Sequence, residues 1–125
     1  MGPILPVPGR AQSRGFATQG GLIFGVAASK GFDDPSPPDD IILHAEAAFG
    51  RMDEILDAAG LDRSHVCCVN VFLNNVKRDV DSFNIVWRKA FEDLAPARFC
   101  VGATLQSTIL VEMAFYAERP ADSQT

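Results

Sequence analysis

With 125 residues, 47% of them hydrophobic and 22% charged, the chain has the composition of an ordinary globular domain and room for a single core, so one domain spanning residues 1–125 is expected. The net charge of −5 has the wrong sign for a surface that tracks phosphates, and nucleic acid is not expected as a partner. No stretch approaches the roughly 18 apolar residues of a membrane span, the opening MGPILPVPGRAQSR lacks the pattern of a secretory signal, and Cys67, Cys68 and Cys100 show no C-x-x-C spacing; a reducing, cytoplasmic setting without disulfides or membrane contact is expected.

The proline-rich residues 1–15 read as an extended N-terminal arm. Leu22 to Ala28 is a short apolar run bounded by glycines and a lysine, the pattern of a buried strand. GFDDPSPPDD, residues 31–40, can be neither helix nor strand and leads into a helix that starts at Asp39 or Asp40. From there Ala45, Ala48, Phe49, Met52, Leu56 and Ala59 recur at helical spacing, and Gly60 offers the left-handed position that ends the helix. His65 to Leu73 has the β-branched density of a strand, Asn74 to Asp81 reads as polar loop, and Phe83, Trp87, Ala90 and Phe91 mark one face of a second, shorter helix. ARFCVGA and ILVEMAFYA, separated by the polar TLQST, read as two adjacent strands forming a hairpin. The order predicts an α+β fold: a single sheet with two helices on one face.

Helices on one face leave the other bare. Ile109, Val111, Met113 and Phe115 alternate with Leu110, Ala114 and Tyr116, so the last strand is apolar on both sides. A chain of this size has no second domain to cover the remaining face. Self-association with closed rotational symmetry is the economical expectation.

Two charges stand out against this apolar background. Alternation puts Arg98 with Cys100 on one face of their strand and Phe99 with Ala97 and Val101 on the other, while Glu112 lies with Leu110 and Ala114. Pattern alone leaves two readings open. Arg98 opens its strand at the surface and Glu112 is its structural partner or a neighbouring subunit's; or the two share a pocket, the guanidinium binding a carboxylate through its planar fork and the glutamate orienting water. His44 and His65 occur singly, without metal-ligand spacing, and no metal site is expected.

Pro96-Ala97-Arg98-Phe99-Cys100-Val101 followed by Leu110-Val111-Glu112-Met113-Ala114 resembles the signature end of the reactive-intermediate/imine deaminase (Rid) family, closest to its aminoacrylate deaminase branch in pyrimidine breakdown. Supporting matches run from about Gly20 to Ala117: the GLIF strand, Leu56-Asp57-Ala58-Ala59-Gly60-Leu61, Val69-Asn70-Val71-Phe72-Leu73, and Phe83-Asn84 at the opening of the second helix. The resemblance implies a chorismate-mutase-like fold and a homotrimer whose strands form a central barrel with clefts between subunits. It implies that Arg98 binds a substrate carboxylate, that Glu112 positions the attacking water, and that the Cys100 backbone assists that water as part of the catalytic set while its thiol need not react. Asn84 matches a further pocket position, and at a helix start its side chain could equally serve as a cap. Phe99 could floor the cleft.

Two positions depart from the family pattern. Gln12-Ser13-Arg14-Gly15 stands where the arm usually reads Pro-Tyr-Ser-Gln, removing an aromatic hydroxyl at Ser13, and Gly25-Val26-Ala27 replaces a polar pocket hydroxyl with the isopropyl group of Val26. The implied reaction is hydrolytic deamination of a small carboxylated enamine or imine such as 2-aminoacrylate, releasing ammonia and a keto acid, with no cofactor. A larger imine, enamine or amide substrate would account for the two departures, and a ligand-binding module without turnover is the third reading.

Overall fold

The computed structural model describes residues 1–121. Its strands are β1 (Gly2–Pro6), β2 (Ser13–Ala17), β3 (Leu22–Ala28), β4 (Val66–Leu73), β5 (Ala97–Gly102) and β6 (Val111–Glu118), and its helices are α1 (Ile41–Ala58) and α2 (Val76–Phe91). They form the α+β architecture expected from the sequence. One sheet of order β1-β2-β3-β6-β4-β5 carries both helices on one face.

α1 begins where the Asp40 side chain accepts the amide of Ile42 at 2.9 Å, satisfying a donor the first turn would otherwise leave free. It ends at Gly60, whose φ of 74° no side chain opposes, with the Leu61 amide bonded back to the Leu56 carbonyl. Its buried stripe, including Ala45, Ala48, Phe49, Met52, Ile55 and Leu56, packs with Phe83 and Phe91 of α2 over Ile23, Val69, Val71, Met113 and Phe115 of the sheet.

Three local expectations are corrected. The arm is a hairpin: Gly2 pairs with Ala17 and Ile4 with Gly15, and β2 continues the sheet onto β3. Residues 76–81 are not loop, because the Asn75 side chain caps a helix that starts at Val76. The charged turn that masked it is tied together locally: Arg78 donates to both Asp79 carboxylate oxygens at 2.8 and 2.9 Å, allowing that aspartate to be buried. Finally, β5 and β6 are not neighbours. The α2 crossover brings β5 back parallel to β4, as a helical connection does, while β6 inserts antiparallel between β3 and β4.

β3 has the predicted bounds but is buried on one side only, since Ile23, Gly25 and Ala27 face the helices while Leu22, Phe24 and Val26 are exposed. Gly25 is required there for space. A Cβ built on it would overlap the ring of Phe115, its partner across β6. Gly25→Ala is therefore expected to destabilise the fold by about 1–3 kcal/mol through overpacking. A urea titration should show a lower midpoint at unchanged m-value.

The opposite face of the sheet carries no helix. Phe16, Leu22, Phe24, Val26, Phe99 and Val101 are all exposed there, and Phe24 meets Tyr116 edge-on at a centroid distance of 5.1 Å. No described helix is long and apolar enough to cross a membrane.

Candidate functional site

The residues singled out from the sequence fall into two groups on opposite faces of the sheet. Arg98 and Cys100 pair in parallel register with Val69 and Val71, which are fully buried beneath the helices, so both point toward α2. The Arg98 guanidinium donates from Nη2 to Asn84 Oδ1 at 2.7 Å and lies 4.8 Å from the Trp87 ring centroid and 5.9 Å from that of Phe83. Its Nη1 is shielded from solvent and has no hydrogen-bond partner among the described residues. A buried donor without an acceptor is uncommon, and here it sits on β5, the free edge of the sheet. Asn84 lies within α2 rather than at its start, so it is no cap; its contact is Arg98. Burial pushes the Cys100 thiol up, opposed in part by the Arg98 charge, which keeps it a protonated, packing side chain.

Glu112 belongs to the other face. In the sheet register it stands opposite Phe72 on one side and Ala28 on the other, partly exposed, and among the described residues it makes no ion pair. Val26, 48% exposed, pairs with Ala114 and is thus the diagonal neighbour of Glu112. Phe99 shares this face, edge-on to Phe72 at 6.0 Å. Within one chain, then, Arg98 and Glu112 neither pair with each other nor line a common pocket. Alternation fixes which residues share a face of one strand, but only the pairing of β5 with β4 and of β4 with β6 shows that the two charges point in opposite directions.

A cavity of about 530 Å³ opens on the uncovered side between the β1–β2 hairpin and β3, lined by Arg10, Gln12, Ser13, Phe16, Phe24 and Val26. It brings together the two positions that depart from the family pattern. Both walls lack the polar groups expected of them, and the aromatic side chains make it predominantly apolar. Arg14 also lines it and reaches α1, where Nη2 donates to Glu54 Oε1 at 2.7 Å. The spacing of Trp87 on α2 suits a core position, and its place under Arg98 follows only from the β5–α2 juxtaposition. Ser13 matches a pocket position by resemblance, but that Arg10 and Gln12 join it in walling a cavity follows only from the β1–β2 hairpin, which a free arm would not form.

The sequence from 22 to 119 matches the family described as Endoribonuclease L-PSP. The chain belongs to this family, the Rid proteins. A comparison with curated proteins yields no match. Among solved structures, the yeast protein YEO7 is 25% identical and superimposes with a TM-score of 0.84 over 94% of this chain and 98% of its own. The Rid-family protein YyfA of Yersinia pestis, 19% identical, gives 0.81 over 91% and 92%. TdcF of E. coli, solved with bound serine, is 21% identical and gives 0.83 over 96% of this chain and 100% of its own. Rid proteins are generally enamine and imine deaminases, alongside members named as endoribonucleases and members without catalysis.

Proposed function

We propose that this Rid-family chain hydrolyses small carboxylated enamines and imines of the 2-aminoacrylate type to a keto acid and ammonia, in clefts completed by neighbouring copies in a homotrimer. The observation that carries the reading is the unspent Nη1 donor of Arg98 at the free edge of β5, beside an Nη2 already held by Asn84. A guanidinium with one donor unspent is suited to a carboxylate, which would reach Nη1 once the side chains that shield it shift aside. Glu112, on the uncovered face of another copy, supplies the base. The bare apolar face supports self-association, and the serine held by TdcF is a small carboxylate ligand of the same kind.

The chemistry needs no covalent intermediate. The enamine takes a proton from solvent at carbon and becomes an iminium. Glu112 accepts a proton from water as its oxygen bonds to the iminium carbon and passes that proton to nitrogen; the carbon–nitrogen bond then breaks as the new hydroxyl gives its proton back to solvent, ammonia leaves, and the keto acid remains on Arg98. The apolar wall of Phe16, Phe24 and Val26 favours a second reading in which the substrate carries a larger apolar group, because a three-carbon molecule fills little of a 530 Å³ cavity. Assay with enzymatically generated 2-aminoacrylate beside a branched-chain imine separates these readings, and absence of ammonia release above the uncatalysed rate from both would discard deamination. Glu112→Gln keeps the shape and removes the base. It is expected to lower kcat by about a hundredfold while changing the affinity for pyruvate little; equal losses in both would make Glu112 structural.

A further inference from the structure

His44 is only 1% exposed, and its hydrogen bonds join three separate segments. Nδ1 lies 2.6 Å from Ser29 Oγ at the end of β3 and 3.3 Å from the Leu110 amide just before β6, while Nε2 lies 3.2 Å from the Pro37 carbonyl in the 31–40 loop. These partners settle the ring's state. An amide N–H can only donate, so Nδ1 is the acceptor; a carbonyl can only accept, so Nε2 carries the proton; the Ser29 hydroxyl then donates into Nδ1 as well. The strand ends held in this way are those beside Glu112. Leu110 is gripped from both sides, its amide by His44 and its carbonyl by the Asn74 amide at 3.0 Å, and the Ser29 amide bonds the Val111 carbonyl at 3.2 Å. Ala28, next to Ser29, is the cross-strand partner of Glu112. A hydroxyl contact between Ser36 and Thr108 joins the same two loops over a cavity of about 360 Å³ lined in part by His44.

We infer that His44 is a positioning residue for Glu112: from behind the sheet it locks the ends of β3 and β6 so that the carboxylate on the opposite face stands at a fixed height and angle. This rests on Glu112 being the base of the proposed deamination. Carboxylate binding at Arg98 lies two strands away and does not pass through the imidazole. Misplacing a catalytic group by a fraction of its reach costs turnover more than binding.

The requirement is for one acceptor and one donor flanking a single carbon of a planar group, which the glutamine carboxamide also provides. His44→Gln should thus retain most of the turnover. His44→Leu fills similar space but leaves the Leu110 amide and the Pro37 carbonyl without partners, and kcat should fall roughly ten- to hundredfold while pyruvate affinity, read by calorimetry on the intact protein, stays within about twofold. Ser29→Ala, which removes one donor without touching the ring, should fall between them. Unchanged kcat in His44→Leu, or a parallel loss of kcat and pyruvate affinity, overturns the inference, as does failure of glutamine to rescue. Amide exchange is read on the same proteins. Faster exchange at residues 110–112 in His44→Leu, restored in His44→Gln, is expected even if the wild type releases no ammonia, a result that would discard the deaminase reading while leaving the clamp; unchanged exchange there discards the clamp itself.

Discussion

Arg98→Ala is expected to lower kcat/KM for a carboxylated imine by on the order of a hundredfold or more, since it removes a charge-assisted contact worth roughly 3 kcal/mol. The loss should appear in binding as well as turnover, because the carboxylate is held in substrate, transition state and keto-acid product alike. The fold should survive. The side chain's partners in the chain are the Asn84 carboxamide and the faces of Trp87 and Phe83, none of which becomes a buried unpaired charge when it is removed. Arg98→Lys keeps the charge but cannot hold Asn84 and a carboxylate with one planar fork, and should recover only part of the activity. Steady-state kinetics with circular dichroism as the folding control checks this, and full activity in folded Arg98→Ala would end the carboxylate-clamp assignment.

Tyr116→Asp is expected to disperse the assembly and the activity together. Tyr116 lies on β6, in the middle of the uncovered face, packed edge-on against Phe24 and opposite Cys68 of β4. Each Å² of apolar surface covered by a neighbour contributes about 25 cal/mol, so a face this apolar favours association strongly at micromolar concentration. A carboxylate set in the middle would have to be buried unpaired, which costs several kcal/mol per copy. Because Arg98 and Glu112 of one chain face opposite ways, in the proposed shared cleft a separated chain would hold two half-sites and no complete one. Sedimentation should therefore move from a trimer to a species near 13.5 kDa as ammonia release disappears. A wild-type protein that sediments as a folded monomer and still turns over would sink both the trimer and the shared cleft.

Much of this protein was legible in its residues. The α1 stripe with an aspartate start at 39 or 40 and its Gly60 stop, the bounds of β3, and the α+β class follow from short-range rules: hydrogen-bond donors at a helix start need an acceptor, a left-handed residue ends the helix, and apolar spacing reports the period of the backbone. The same holds for the faces within each strand, since alternation put Arg98 with Cys100 and Glu112 with Ala114. The signature Pro96 to Val101 and Leu110 to Ala114 also carried the family. Pairing between strands was not legible. Nothing local in ARFCVGA distinguishes an edge strand parallel to β4 from half of a hairpin, because that choice depends on where α2 returns the chain. From that one choice follow the separation of Arg98 and Glu112 onto opposite faces and the stacking of Arg98 on Trp87. The packing of the N-terminal hairpin against β3 likewise made Ser13 and Val26 walls of one cavity, and the clamp at His44 joins residues 29, 37 and 110, far apart in the chain. Contacts of that kind are set by the energy of the whole packed core, which no short window of sequence contains.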